Sequence, residues 1–244
     1  MPARPSNPYV LNISKAWTTA FPKSSAGILA ITHIPQTPPS PFFDAKRVEI
    51  ENELRVRFSY STRGALENLP TIQAYETYYR KFKKTYHVLL QLESVALKGK
   101  SIPNVPPAIG AMFMAELKNQ LLTAGHDLSS LQGSLQLGVA TGDEHYLLLN
   151  GTSQHLKPGD MMISDDSGTI SSIIYGPDQR TRLKPESQSV IYTVYGVPGI
   201  DEDQIYNHLE DIRDFFLAGY PDSNVAQLKV YGARERNEFD FFTP

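Results

Sequence analysis

The fold is decided by a hairpin pattern in the second half of the chain, Met161-Met162-Ile163-Ser164-Asp165-Asp166-Ser167-Gly168-Thr169-Ile170. Two segments of strand character, 161–164 and 169–175, flank the polar residues 165–168. Asp, Ser and Gly are the residues that tight turns require, so the pattern predicts two strands joined by a turn. A second interpretation is that the carboxylates of Asp165 and Asp166 orient a water molecule or bind a hydroxyl or an amine.

More strands surround this hairpin on both sides. Alternating or short apolar runs predict them at Gly27–Thr32, Leu135–Val139, Tyr146–Leu149, Gln188–Gly196 and Val225–Tyr231. After the fourth of these runs, Asp201 and Gln204 have the spacing of a capping box. This spacing predicts a helix that runs to about Ala218.

The first half of the chain is mainly helical. Apolar spacing and capping residues predict helices from a cap at Asp44 to about Tyr60, over Leu69–Leu97 with a break near Lys84-Thr85, and from Pro106-Pro107 to a C-terminal cap at Gly125. Because helices come first and a run of strands follows, the predicted fold class is α+β rather than a regular β-α-β alternation.

Composition and charge exclude several classes of protein. The 244 residues correspond to one or two domains at ~150 residues each. The absence of cysteine excludes a disulfide framework, a thiolate nucleophile and a cysteine-ligated zinc. The formal net charge of -3 argues against a general nucleic-acid coat, so any RNA site must be a local patch.

Targeting signals are not expected either. Residues 1–9 are rich in proline and have no apolar core, which does not fit a secretory signal. The longest apolar runs are far shorter than the ~20 residues that cross a bilayer. The sequence therefore predicts a cytoplasmic protein with no membrane partner.

The motifs of common catalytic and cofactor sites are not found. The chain has no G-x-G-x-x-G, no G-x-x-x-x-G-K, no H-E-x-x-H and no G-x-S-x-G. The six histidines form no helical pair at metal-ligand spacing. We therefore predict neither a metal nor a cofactor.

One segment concentrates positive charge. Against the single acidic residue Glu93, it carries Arg80, Lys81, Lys83, Lys84, Lys98 and Lys100, and aromatic residues are interleaved at Tyr78, Tyr79, Phe82 and Tyr86. This composition suits a nucleic-acid backbone with a stacked base. The alternative is a solvated helix end whose aromatic rings face the core, and the helical spacing of the tyrosines favours this alternative.

Two smaller features are also candidates for a site. Arg180 and Arg182 lie on one face of an extended segment around Thr181, so both guanidinium groups could meet one phosphate or carboxylate; the alternative is a solvated strand edge. His126 beside Asp127 could act as a general base. The alternative is that Asp127 caps the next turn, 128–131, while His126 is simply exposed.

An ordered series of short motifs resembles the tRNA-binding and editing domain of the phenylalanyl-tRNA synthetase beta chain, in a free-standing form. The motifs are Tyr79-Arg80, Leu97-Lys98-Gly99, Ile102-Pro103-Asn104, Asp127-Leu128, Leu131-Gln132-Gly133, Gly142-Asp143-Glu144, Pro158-Gly159-Asp160, the stretch Ile163 to Gly168, Arg180-Thr181-Arg182-Leu183 and the strand Ser189 to Tyr195. They cover roughly half of the chain.

The resemblance implies a fold and a division of the chain. The fold is several N-terminal helices packed on a mainly antiparallel or mixed sheet. Residues 69–199 are the editing-domain-like core, 1–68 an extension packed on it, and 200–244 a C-terminal helix and strand that return to it. Together they are expected to form one compact unit.

The resemblance also implies hydrolysis of mischarged aminoacyl-tRNA in trans, without the aminoacylation activity of a full synthetase. Asp165, Asp178 and His126 are the candidate catalytic residues. The segment Arg180, Thr181 and Arg182 would hold the tRNA terminus, and the basic segment Arg80 to Lys100 would guide the tRNA arm.

The sequence departs from the family pattern at the central helix. The Thr-Asn pair of the family falls near Met112-Phe113, and the histidine that follows it falls near Ala124 or, with a gap, His126. The carboxylate that reads the hydroxyl of a tyrosyl group falls near Asp178. These departures favour an alternative function, a binding module for RNA, an amino acid or a protein that kept the fold and lost the chemistry.

Overall fold

A computed structural model describes residues 10–232 of the chain. Residues 1–9, whose composition does not fit a secretory signal, lie outside the described residues, as do residues 233–244 of the predicted C-terminal segment. The seven α-helices of the described part are α1 Lys15–Ala20, α2 Phe42–Arg57, α3 Arg63–Glu67, α4 Pro70–Lys81, α5 His87–Leu92, α6 Pro107–Asn119 and α7 Glu202–Gly219. A π-helical turn, Glu93–Leu97, continues α5.

The strands form two sheets and a separate hairpin. They are β1 Leu11–Ile13, β2 Ser25–Thr32, β3 Thr123–Asp127, β4 Leu135–Val139, β5 His145–Leu147, β6 Ser153–His155, β7 Met161–Asp165, β8 Gly168–Ser172, β9 Gly176–Pro177, β10 Val190–Tyr195 and β11 Asn224–Gly232. One sheet has the order β1-β4-β7-β8-β9 and the other β11-β2-β10-β3, while β5 pairs with β6.

Pairing is mainly antiparallel, with one parallel pair between β1 and β4. The predicted α+β class is therefore confirmed, and so is the hairpin: β7 and β8 pair antiparallel, with Asp165 opposite Gly168. The predicted capping box is also present, because the Asp201 side chain accepts from the backbone of Gln204 and the Gln204 side chain accepts from the backbone of Asp201.

Strand β10 is buried on both faces because it lies between helices and the other sheet. On one face the Tyr192 hydroxyl donates to the Ala108 carbonyl of α6 at 2.7 Å. On the other, the hydroxyl groups of Tyr195 and Ser171 of β8 lie 2.5 Å apart. Alternation in the sequence located this strand, but both of its faces are apolar or hydrogen-bonded inside the core.

Helix α7 lies close against β2 because Gly27 has no side chain. A Cβ atom at this position would be 2.5 Å from Cγ2 of Ile205 and 2.8 Å from Cδ1 of Leu209. Both of these side chains are fully buried in α7. The small residue therefore sets the depth at which the helix packs on the sheet.

The predicted helical segment 69–97 is confirmed, with its break. Helix α4 ends at Lys81, Lys83 takes a left-handed φ of 57°, and α5 begins at His87. Tyr78 ties α4 to the five-stranded sheet: its hydroxyl donates to Oδ1 of Asp160 at 2.8 Å and accepts from the Met161 N–H at 2.6 Å. Burial raises the pKa of Asp160 to about 6.

Two predicted caps are wrong. Helix α6 ends at Asn119 rather than before Gly125, because Gln120 takes a left-handed φ of 57° and its amide donates to the last carbonyls, of Leu117 and Lys118. Gly125 instead lies in the middle of β3. Helix α2 begins after Pro41, so Asp44 sits inside its first turn, where it pairs with Arg47 at 2.9 Å.

No helix within residues 10–232 is long and apolar enough to cross a membrane.

Candidate functional site

A cavity of about 460 Å³ opens between helix α6 and the edge of the two sheets. We call it the helix–sheet cavity. Its walls are mainly apolar and come from α6, β3 and the segments after β8 and before β10, among them Ile109, Met112, Phe113, Leu122, Ala124, Ile173, Ile174 and Leu183. Gly125 keeps part of the floor open, since a Cβ there would lie 2.7 Å from Cδ1 of Leu183.

A few polar side chains interrupt these walls. They belong to His87, Glu116, Thr123, Ser172, Tyr175, Arg182 and Tyr195. An apolar cavity with a small number of polar groups is the usual form of a small-molecule site. Among residues 10–232, no group of three or more His, Cys, Asp or Glu side chains is placed to hold a metal ion.

His87 lies at the start of α5 and at the edge of the cavity. Its ring centroid is 5.8 Å from that of Tyr86 and 6.3 Å from that of Tyr79. This crowding desolvates the imidazole and lowers its pKa from the ordinary value, although much of the residue's surface remains exposed. The imidazole is therefore neutral and accessible at neutral pH.

Glu116 is the buried carboxyl group of the cavity, with 2% of the residue exposed. Its Oε1 accepts a hydrogen bond from the backbone N–H of Thr123 at 2.8 Å. Burial raises the pKa of Glu116 to about 8, against the opposing effect of that hydrogen bond. The carboxyl group is therefore mostly protonated at neutral pH in the empty cavity.

Three of the predicted site residues form a hydrogen-bonded chain, which we call the Asp178 cluster. The Thr181 hydroxyl donates to Oδ1 of Asp178, which also accepts from the Thr181 N–H at 2.9 Å. Nδ1 of His126 lies 2.7 Å from the same hydroxyl. Since the hydroxyl has one proton and gives it to the carboxylate, Nδ1 of His126 must be the donor to Thr181.

His126 is buried, so the expectation of an exposed histidine is wrong. The expectation followed from the wrong end predicted for α6, which placed residue 126 in a loop. In the structure, His126 belongs to β3 and pairs with Ile191 of β10. Burial, and then the nearby Arg180 charge, lower its pKa to about 3. The imidazole is neutral, and its Nε2 has no hydrogen-bond partner within residues 10–232. Asp127 does cap the following turn, as predicted, by accepting from the Ser129 N–H.

Arg180 and Asp165 form a bidentate ion pair beside this cluster. The guanidinium donates to the two carboxylate oxygens at 2.8 and 3.0 Å and to the Ser130 carbonyl at 2.9 Å. Asp165 also accepts from the N–H groups of Gln132 and Ser167. Its carboxylate is thus fully used by the protein, and it holds the β7–β8 turn against the segment at Arg180.

The Asp178 cluster and the ion pair do not line the helix–sheet cavity, but they fix a segment that does. Pro177, Arg182 and Leu183 flank the cluster along the chain, and all three line the cavity. Arg182 is exposed, and its Nη1 donates to the Gln179 carbonyl at 2.8 Å. Of the predicted segment Arg180-Thr181-Arg182, only Arg182 therefore faces the cavity.

The basic residues lie at the two ends of the segment formed by α5 and the π-helical turn. Arg80, Lys81, Lys83 and Lys84 lie before α5, whereas Lys98 and Lys100 follow the π-helical turn, roughly 15 Å away along the helix axis at ~1.5 Å per residue. Lys98 is paired with Glu93 at 2.8 Å. Lys84 is not part of the cavity lining, but its Nζ lies 5.7 Å from the ring centroid of Tyr175, which is.

The interleaved aromatic residues cannot stack on a base. Tyr78, Tyr79, Phe82 and Tyr86 are all buried in the core. The alternative interpretation, that they face the core, is confirmed.

Sequence reasoning missed His87 and Glu116. Both come to the cavity from helices that were predicted, but no motif marks either residue. The one available signal was position: Glu116 interrupts an apolar run between Ala115 and Leu117.

The chain was compared with protein families, with curated proteins and with solved structures. No family model matches the chain. The phenylalanine–tRNA ligase beta subunit of Mycoplasma pneumoniae is 30% identical over 69 residues, which are 28% of this chain and 9% of that protein. A crystal structure of an N-terminal fragment of the phenylalanyl-tRNA synthetase beta subunit from Pyrococcus horikoshii matches 93% of this chain and 52% of its own, with 8% identity and a TM-score of 0.45.

The chain thus spans about a tenth of the curated relative and about half of the solved fragment. Over the matched residues, the resemblance to the phenylalanyl-tRNA synthetase beta subunit that the sequence motifs indicated is confirmed.

Proposed function

We propose that this protein binds tRNA and hydrolyses the ester of a mischarged aminoacyl-tRNA in the helix–sheet cavity. The observation that carries the proposal is an open cavity at the junction of the central helix and the sheets, in a chain whose sequence resembles the beta subunit of a tRNA synthetase. In this proposal the protein is cytoplasmic and acts on the tRNA in trans, without metal or cofactor.

The chemistry requires little of the site because an aminoacyl ester is already activated. A water molecule attacks the ester carbonyl, the bond to the ribose oxygen breaks, and the proton lost by the water reaches the leaving oxygen. His87 is neutral and accessible at the cavity, so it is our candidate for the base that carries this proton.

The residues predicted from the sequence take different roles in this proposal. His126, Thr181, Asp178, Asp165 and Arg180 act as positioning residues, since their polar atoms are bonded to one another and they set the wall that carries Arg182. Arg182 is exposed at the cavity and would contact the phosphate of the tRNA terminus.

The basic segment has a divided role. Lys84 lies against Tyr175 at the cavity, so Lys84 and its neighbours Arg80, Lys81 and Lys83 would meet the end of the tRNA arm. Lys98 and Lys100 would meet a more distant part of the backbone.

We further propose that residues 69–199 form the core that carries the site, that residues 1–68 form an extension packed on it, and that residues 200–244 return to it.

A non-catalytic binding module is the second candidate. The observation that favours it is the composition of the cavity, whose walls are mainly apolar and which contains a carboxyl group protonated at neutral pH. A site that only binds needs no base and no positioned water.

Deacylation of a panel of mischarged tRNAs tests the proposal. The purified protein should release the amino acid from at least one of them faster than buffer does, and His87→Gln should slow the release. His145→Gln is the matched control, because His145 is an exposed histidine in β5 and does not line the cavity. If the protein accelerates the release from no tRNA of the panel, the hydrolysis is excluded and the non-catalytic binding module is the remaining candidate.

A further inference from the structure

Glu116 is a buried carboxyl group without a countercharge. No lysine, arginine or histidine within residues 10–232 comes within 4.0 Å of it, and Oε1 accepts its one hydrogen bond, from Thr123. Oε2 has no hydrogen-bond partner in the same part of the chain. Buried carboxyl groups are normally paired or fully hydrogen-bonded, so this one has unused capacity.

The neighbouring hydroxyl groups do not fill that capacity. Three tyrosines are close enough for the Glu116 charge to raise their pKa values further. Each of them donates its phenolic proton to a backbone carbonyl, in the pairs Tyr75 to Tyr195 at 2.6 Å, Tyr79 to Ile173 at 2.9 Å and Tyr86 to Gln120 at 3.0 Å. The Thr123 hydroxyl is likewise bonded, to Nε2 of His208 at 2.7 Å.

The arrangement selects the charge of a ligand. In its ionised form the carboxylate would repel an anion, and a ligand without a donor would leave Oε2 unpaired. In its protonated form the carboxyl group would donate to a neutral acceptor, which is the outcome in which the alcohol binds as well as the amine. An ammonium group supplies both the countercharge and the donor. The apolar walls from α6 and β3 suit an apolar body attached to that ammonium group.

The cavity also has a direction. Glu116 is buried, whereas Arg182 is exposed at the same cavity. A ligand with its ammonium group at Glu116 would therefore place its other end towards a cation, which suits an ester carbonyl or a phosphate.

We propose that Glu116 accepts the ammonium group of a primary amine with an apolar body, and that in the proposed function this amine is the α-amino group of an apolar aminoacyl ester. The assignment rests on the proposed function for the identity of the natural substrate. The binding of an amine at Glu116 can be tested without RNA and without an ester.

The test uses 2-phenylethylamine as the probe and 2-phenylethanol as its neutral counterpart of similar shape. Calorimetric titration of the whole protein at pH 8 should show the amine binding at least tenfold more tightly than the alcohol. In Glu116→Gln the affinity for the amine should fall about tenfold, while the affinity for the alcohol changes less than threefold.

Glu51→Gln is the matched control. Glu51 is also a buried helical glutamate whose Oε1 accepts one backbone N–H, from Ile102 at 2.8 Å, but its other oxygen pairs with Arg55 and it does not line the cavity. This variant should bind both probes as the natural protein does.

The pH dependence of the natural protein gives a second readout that needs no variant. Binding an ammonium group requires the ionised carboxyl group, whose pKa is about 8, so amine affinity should rise severalfold from pH 7 to pH 9, with the midpoint of the rise near that pKa. The histidine, tyrosine and arginine side chains around the cavity keep their charge over this range. The pKa values of His87 and His208 are lowered, those of Tyr75, Tyr79, Tyr86, Tyr175 and Tyr195 are raised, and arginine is always charged.

Equal affinities for the amine and the alcohol, a flat pH profile, or no binding of either probe would each overturn the assignment. A protein that binds the amine as expected but accelerates no deacylation would keep the ammonium site and lose the proposed hydrolysis. A protein that deacylates tRNA but does not distinguish the two probes would do the reverse.

Discussion

The Asp178 cluster and the helix–sheet cavity are built from similar polar residues in opposite ways. In the cluster and the adjoining ion pair, every carboxylate is occupied: Asp165 accepts from Arg180 and two backbone N–H groups, and Asp178 accepts from Thr181. In the cavity, Glu116 accepts one hydrogen bond and has no countercharge. Satisfied polar groups rigidify a fold, whereas an unsatisfied one in a cavity is available to a ligand.

The largest expected effect on the free energy of unfolding comes from the ion pair between Asp165 and Arg180, whose carboxylate and guanidinium groups are both hydrogen-bonded. Asp165→Ala removes the carboxylate and leaves the Arg180 guanidinium and the N–H groups of Gln132 and Ser167 without their acceptor. The carboxylate is buried while the guanidinium is 37% exposed, so the change should cost about 3 to 4 kcal/mol of unfolding free energy, the lower part of the range for a fully buried pair. Denaturant unfolding measures the change.

Asp166→Ala is the control for this variant, because Asp166 is the neighbouring, exposed residue of the same turn. Its cost should be below about 0.5 kcal/mol. If the two variants were equally stable, the ion pair would not hold the hairpin, and Asp165 would again be a candidate for direct contact with substrate.

Glu116→Gln should show the opposite behaviour, a gain in stability at high pH. The pKa of Glu116 is raised to about 8 in the folded protein, so the folded state holds its proton more tightly than the unfolded chain. The tighter proton binding adds its full contribution to the free energy of unfolding below about pH 4.5. This contribution is lost as the pH rises from about 4.5 towards 8. Glutamine does not titrate, so the variant avoids this loss.

The measurement is the free energy of unfolding of both proteins at pH 4.5 and pH 9. The variant should gain on the order of 3 kcal/mol relative to the natural protein across that range. Other titrating groups, such as Asp160, are present in both proteins and cancel in the difference. A difference that stayed constant with pH would show that Glu116 is already ionised in the folded state, and the cavity would then hold a countercharge.

The sequence predicted most of the fold because its strands and helices carry local patterns. The turn residues of 165–168, the capping box at Asp201 and the tyrosine spacing in α4 each depend on neighbours in the chain. The error at the end of α6 has the same origin: Gln120 takes the left-handed conformation that glycine usually supplies, so the helix ends at Asn119, six residues before Gly125.

The cavity could not be predicted in this way because no local pattern describes it. Its lining comes from seven separate stretches between His87 and Tyr195, and only the packing of two sheets against α6 brings them together. The polar motifs that stood out, at Asp165 and at Arg180, are those whose chemistry the fold itself uses. Their residue types are the same as those of a site, so sequence alone left both interpretations open.

The smallest expected effect separates two arginines that look equivalent in the sequence. Arg180→Lys loses the bidentate fork on Asp165, which a single ammonium group cannot reproduce. It should cost about 1 kcal/mol, a fall of roughly 2 to 4 °C in Tm for a chain of this size. Arg182→Lys should leave Tm almost unchanged, because its guanidinium is exposed and bonds one carbonyl, that of Gln179.

Affinity for tRNA should show the reverse order, with the larger effect in Arg182→Lys and the smaller one in Arg180→Lys. Arg182→Lys should weaken binding about fivefold, or ~1 kcal/mol, since lysine contacts a phosphate through a point charge instead of a fork. Arg180→Lys should bind tRNA as the natural protein does, because its guanidinium is already used by Asp165. Filter binding at fixed ionic strength, together with thermal unfolding, measures both quantities on the same samples. If Arg180→Lys lost affinity for tRNA while keeping its Tm, the ion pair with Asp165 would open on binding. Arg180 would then contact the tRNA directly and would not be a positioning residue.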